Sequence, residues 1–297
     1  MADHVPTGLV EGWAQIKSKA VDVLVDQLKR NFDIGARPFD NKAFVEVYTV
    51  CYNLCTQRAP NNFSEQLYGH HGHTMTSYLG EHVLPALRSK SGPELLGELI
   101  VRWNSHKIMN KWLKKFFAYL DRYYVKHHSH KSLHEVGVTA FKSEVYLNTK
   151  EAVVEAMLGA IERERLGEEV DHSQLKSCVA VFEVMGEGTL DQYIHDFQDP
   201  LLTASDSFYN SKSSEWMASD DTPTYLKKAE AALKAEVQRV KDYLIGHETE
   251  SKLLSVCEKQ LLEVPQKELL ERPSGGCASL LKDDKVDDLK RMFALFE

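Results

Sequence analysis

Apolar positions along the chain recur at three- and four-residue spacing, and no stretch alternates strictly. That period lines apolar side chains along one face of a helix, so the pattern predicts an all-α protein with few strands. The first helix is expected over residues 10–29, where Trp13, Ile16, Ala20, Val23, Leu24 and Leu28 share a face. Asp40, suited to accept the free N–H groups of a first turn, opens a second that reaches about Thr56. A third covers residues 64–87, with Pro85 placed to kink or stop it. Ser91-Gly92-Pro93 marks a break, followed by a fourth helix over 94–103 and a fifth over 107–126. Further helices are expected near 134–147, 150–165, 171–185, 190–202, 206–218, 223–245 and 249–262. Thr222 is expected to cap the one that Pro223 opens. Pro265 should break LLEVPQKELL. Pro273-Ser274-Gly275-Gly276 reads as a loop, and KVDDLKRMFALFE closes the chain as a helical pattern without a stop signal. Such an end is expected of a polypeptide cut short.

Two of these helices are more apolar than a single core face requires. In FVEVYTVCYNLC, residues 44–55, only Glu46, Thr49 and Asn53 are polar, and they fall on one narrow stripe. Either this helix is fully buried or a second face meets a partner. The fifth helix carries one stripe of Leu113, Phe117, Leu120 and Tyr124 and a second of Trp112, Phe116, Tyr119 and Tyr123. Lys107, Lys111, Lys114 and Lys115 flank them. Aromatics beside basic residues are typical of interface anchors; they also stack single-stranded nucleic acid.

Charge decides against nucleic acid as the main partner. The net charge is −8, made up of +5 over residues 1–150 and −13 over 151–297. The basic N-terminal half suits an acidic partner, or simply has its own solvated surface. Of the 297 residues 43% are hydrophobic and 27% charged, as in a globular protein. The longest apolar runs are a few residues, far short of the ~20 that cross a membrane. MADHVPTGLVEGW has no basic region followed by an apolar stretch, so no secretory signal is expected. The five cysteines are scattered; Cys51 and Cys55 lie one helical turn apart, not as a CxxC pair, and a reducing intracellular compartment fits best.

Catalytic chemistry is hard to find. His70, His71 and His73 form one cluster and His127, His128, His130 and His134 another, but no cysteine or carboxylate completes a metal set at familiar spacing, so they read as solvated. Gly186-Glu187-Gly188 lacks a third glycine and a preceding strand. There is no Walker-type loop and no Gly-x-Ser-x-Gly elbow, and KDDKVDD lacks EF-hand spacing. No catalytic, metal-binding or cofactor-binding residue is assigned, and an enzyme is not expected.

Several segments, taken in order, carry a likeness: VYTVCYNLCTQ, FFAYLDRYYV, HEVGVTAFKSEVY, ERERLGEEVDHSQLK and SGGCASLLKDDKVDDLKRMF. Together they resemble the N-terminal region of cullins, from about Val10 to the last residue, in the plant-like form of the class that builds SCF ubiquitin ligases. The resemblance implies an elongated stack of five-helix repeats: a disordered tail over 1–9, a first repeat over 10–150, a second over 151–270 and the opening of a third over 271–297. It implies a non-catalytic scaffold that holds a Skp-family adaptor, and through it an F-box protein, on the second and fifth helices of the first repeat. By position the contacts are Phe44, Val45, Tyr48 and Tyr52, with Trp112, Phe116, Tyr119 and Tyr123. A BTB-type adaptor stays open, because the aromatic pattern of the second helix is shared among cullin classes. The family's C-terminal half, which recruits the RING subunit, has no counterpart here, so RING binding is not expected. The alternative is a truncated regulator that competes for adaptors without ligase activity. Neither nucleic acid nor membrane is an expected partner, and the location should be cytoplasmic and nuclear.

Overall fold

The computed structural model describes residues 8–29 and 38–297. Most of the expected 1–9 tail lies outside the described residues, and Leu9 already opens a helix. The described residues are helical, with no strand among them. They divide into two compact units, residues 1–159 and 160–297.

The first unit holds α1 (residues 9–29), α2 (Asn41–Thr56), α3 (residues 64–88), α4 (Gly92–Phe116), α5 (residues 118–128) and most of α6 (residues 133–165). Local chemistry sets their starts. Asp40 Oδ1 accepts the Ala43 N–H at 2.7 Å and caps α2. Ser132 and Glu135 form a reciprocal capping box at α6: Ser132 Oγ accepts the Glu135 N–H at 3.2 Å, and Glu135 Oε2 accepts the Ser132 N–H at 2.7 Å. The expected break between residues 103 and 107 is absent. Asn104-Ser105-His106 contains neither glycine nor proline, and Ser105 and His106 are buried, so α4 runs through them. The chain bends instead at Phe117, whose φ of −95° and ψ of 22° end α4. The expected 134–147 and 150–165 helices are likewise one: Thr149 is buried, its Oγ1 donates to the Val145 carbonyl at 2.9 Å, and the helix runs unbroken through it. The division between the units therefore falls inside α6, nine residues beyond the boundary expected from sequence.

The second unit holds α7 (His172–Met185), α8 (residues 191–219), α9 (Thr222–Tyr243), α10 (residues 246–263), α11 (Gln266–Glu271), α12 (Cys277–Lys282) and α13 (Val286–Phe296). Asp221, not Thr222, caps α9, accepting the Thr224 N–H at 2.9 Å; Thr222 is buried as the first helical residue. The core gathers Tyr209, Tyr225, Leu253, Leu261 and Leu269 with Leu280 and Met292 from the last two helices.

Three prolines inside helical stretches share one solution. Pro85, Pro200 and Pro265 each follow a wider turn, over 79–83, 194–198 and 259–263. The N–H just before each proline donates to the carbonyl five residues back: Leu84 to Leu79, Asp199 to Ile194 and Val264 to Lys259. A proline ring clashes with the carbonyl four residues back and offers no N–H of its own; widening the preceding turn accommodates both defects. The helix continues past Pro85 and Pro200 and breaks at Pro265.

Candidate functional site

α2 has two apolar faces. Val47, Val50, Cys51, Leu54 and Cys55 are buried. The polar stripe includes Glu46, which pairs with Lys19 of α1 at 3.1 Å. On a further face Phe44 and Tyr48 are half-buried, while Val45 and Tyr52 are 57% and 42% exposed. Of the two alternatives that the sequence left open, full burial is excluded.

That face continues onto α5 as a row of rings. Phe44 and Tyr48 stack at 6.0 Å between centroids, and Tyr48 and Tyr52 at 6.4 Å. Tyr52 meets Tyr119 edge-on at 5.3 Å, and Tyr119 lies 4.6 Å from Tyr123, itself 52% exposed. Burial, then neighbouring Tyr52 and Tyr123, raise the Tyr119 phenol above its ordinary pKa. Phe44 also ties the row to the core, stacking on Phe116 at 5.4 Å.

Trp112 and Phe116 stand differently from the rest of their stripe. They are 8% and 0% exposed, and Phe39 packs edge-on against both, at 5.4 and 5.1 Å. Phe116 therefore supports the row from beneath and presents no surface. Sequence spacing did not signal Phe39, which precedes α2. Together Phe39, Phe44, Tyr48 and Trp112 line a concavity of about 400 Å³, rimmed by the cations Lys115 and Arg122 and by Asp40, whose carboxylate is engaged as the cap of α2. Lys115 Nζ sits 4.5 Å over the Trp112 ring. Of the other stripe of this segment, Leu113, Phe117 and Leu120 are buried in the unit's core and Tyr124 is half-buried. An apolar floor beside exposed cations is suited to take apolar anchors flanked by carboxylates.

The histidines do not behave as one class. His70 stacks on Trp13 at 4.3 Å, and His127, His128 and His130 are exposed. His71 is buried, contrary to the solvated reading, because its place on α3 turns it toward Phe117 at 5.9 Å. His106 is buried too, with Nε2 2.9 Å from the Gly137 carbonyl. Burial lowers both imidazoles to about 4. Among the described residues no group of three His, Cys, Asp or Glu side chains is placed to hold a metal ion. None of the described helices is long and apolar enough to cross a membrane.

A model of the cullin alpha solenoid domain matches residues 13–297. The chain is 41% identical over 259 residues to Cullin-2 of Arabidopsis thaliana, covering 87% of this chain and 35% of that one. It is 41% identical over 289 residues to Cullin-1 of Oryza sativa subsp. japonica, covering 97% and 38%. It is 37% identical over 292 residues to Putative cullin-like protein 2 of Arabidopsis thaliana, covering 96% and 75%. The chain thus spans little more than a third of the two proteins named cullins and three quarters of the third relative.

Proposed function

This chain belongs to the cullin family, and on that premise we propose that its first unit is the adaptor-docking arm of an SCF-type ubiquitin-ligase scaffold. The arm takes a Skp-family adaptor and, through it, an F-box protein, and performs no chemistry of its own. One observation carries the reading: the row Phe44, Tyr48, Tyr52, Tyr119 and Tyr123 crosses from α2 to α5 with its outer edge in solvent. Single exposed apolar side chains are ordinary, but here Val45, Tyr52 and Tyr123 stand exposed along one row of contacting rings, and a contiguous apolar patch of this kind marks an interaction surface.

Calorimetric titration with a purified Skp-family adaptor tests it, with a 1:1 complex of micromolar affinity or tighter expected. Val45→Asp should weaken binding at least about thirtyfold, as loss of a buried anchor does, while helicity stays unchanged. Phe44→Ala with Tyr48→Ala should abolish it. Undiminished binding by both variants removes the site from this face. Binding to a BTB protein instead would reassign the adaptor class.

A second reading rests on the 75% coverage of the cullin-like relative. A polypeptide confined to this region would occupy adaptors unproductively. Added to a reconstituted ligase, it should lower substrate ubiquitination in proportion to the adaptor it sequesters, and the Val45→Asp variant should not.

A further inference from the structure

The aromatic row does not end at Tyr123. Residues 119, 123 and 127 follow one ridge of α5, four apart, so the next side chain along it is His127. There the surface opens into a second concavity, of about 520 Å³, lined by Tyr119 and Tyr123 from the row, by His127, His128 and His130, and by Glu65 of α3. The imidazoles pack on one another: His127 and His128 are 4.9 Å apart, His128 and His130 5.8 Å. Tyr124 lies 4.6 Å from His128, and Tyr68 stacks on His130 at 5.3 Å. All three histidines are exposed.

The backbone favours positive charge at this place. His127 and His128 end α5, where unpaired carbonyls stabilise cations. Ser129 adopts a left-handed φ of 53°, and the His130 N–H returns to the Val125 carbonyl at 3.1 Å, which brings the third imidazole to the same opening. Imidazole is the side chain whose charge ordinarily changes between about pH 5 and 8.

We propose that this histidine concavity is a carboxylate-binding extension of the docking surface: it takes an acidic segment of the same adaptor and tightens its hold as the pH falls. The proposal rests on the reading of the aromatic row as the docking surface, with which the concavity shares Tyr119 and Tyr123. The occupant follows from charge. One lining carboxylate, Glu65, against three imidazoles leaves the protonated cluster cationic. The other acids nearby are engaged: Asp121 pairs with Lys114 at 3.5 Å and accepts the Leu133 N–H at 3.0 Å, and Glu135 is held in the capping box. Arg122 and Lys126 of α5 and Lys131 of the following turn, the last bonded to Thr139 at 3.0 Å, add positive charge. His134, in the first turn of α6, lies beside buried Asn110, and Cys55 of α2 is also among the lining residues.

The test compares adaptor affinity at pH 7.5 and 6.0, at constant ionic strength, for the unmodified chain and for His127→Gln with His128→Gln and His130→Gln. The unmodified chain should bind about three- to tenfold more tightly at pH 6.0, the range open to three exposed charge pairs. The triple variant should lose most of that ratio; titration of the adaptor's own groups is common to both arms. Circular dichroism checks the fold, and should the triple variant lose helicity, the three single variants carry the comparison. Equal pH ratios in variant and unmodified chain overturn this proposal and leave the docking reading standing. No adaptor binding at either pH overturns both.

Discussion

Spacing placed Trp112, Phe116, Tyr119 and Tyr123 on one stripe, and the structure divides that stripe into two support residues and two surface residues. Periodicity states which side chains share a face but not what stands opposite; Phe39 packs on Trp112 and Phe116, while Tyr123 stays 52% exposed. The second unit holds a constellation the sequence concealed altogether. Arg165 donates to both oxygens of Glu236, 71 residues away, at 2.9 and 3.2 Å, with both side chains almost wholly buried. Tyr209 donates to the same carboxylate at 2.5 Å, Arg239 at 2.7 Å, and Arg165 also donates to Ser205 at 2.7 Å. Burial alone would raise the Glu236 carboxyl, yet Arg165 and Arg239 hold it below the usual range. Nothing in the spacing of ERERLG singles out Arg165, because only the tertiary fold brings a carboxylate to it. Removing one partner strands the other charge in the core, so Glu236→Gln should cost about 3–5 kcal/mol in denaturant unfolding of the second unit. Tyr209→Phe, which removes one bond to a carboxylate that keeps its arginines, should cost only about 1–2 kcal/mol. If the two variants cost the same, the ion pair is not what holds this core.

Helix starts were legible where a side chain announces them, as at Asp40 and Asp171, whose oxygens accept the Ala43 and Gln174 N–H groups at 2.7 and 3.0 Å. The continuity of α4, α6 and α8 was less legible. Runs such as Asn104-Ser105-His106 and Asn148-Thr149 have modest helix propensity, and burial in a tertiary setting overrides it. Close helix packing was invisible in the same way. A Cβ at Gly137 of α6 would overlap the Asn110 side chain of α4, where Asn110 donates to the His134 carbonyl at 3.1 Å. Gly137→Ala must therefore displace a buried, bonded amide and should destabilise the first unit by about 1–3 kcal/mol. Gly159 in the same helix is a control, since a Cβ there meets nothing within 4 Å. Gly159→Ala should stabilise by up to about 1 kcal/mol through helix propensity alone. Thermal melts of the two variants should move in opposite directions; a shared sign would mean that propensity, not the Asn110 contact, governs α6.

At the scale of the whole chain, the charge asymmetry was plain in the sequence, but the asymmetry in acid response was not. His71 and His106 belong to the first unit, and both are held neutral by burial down to about pH 4. In the unfolded chain each takes a proton near pH 6.5. Between those values the unfolded state binds more protons, so the first unit loses stability as the pH falls from about 6.5 toward 4, by roughly 2 kcal/mol per histidine at pH 5. Glu236 in the second unit works in the other sense. Its pKa is depressed, so its contribution is intact above about 4.5 and is lost only as the pH falls further. In the window from 6.5 to 4.5 acid should therefore weaken the first unit and spare the second, and in calorimetric melts the first unit's transition should move down relative to the second's between pH 7.5 and pH 5. The first transition should fall by about 10 °C, at 2–4 °C per kcal/mol for a unit of this size. His71 allows a sharper test, because neither ring nitrogen has a hydrogen-bond partner among the described residues. His71→Met gives up no bond, fills a similar volume, and removes one of the two proton acceptors. It should leave the first transition higher than in the unmodified chain at pH 5 and remove about half of its acid sensitivity. A transition that still moves by the full amount in that variant would place the acid response outside the buried histidines.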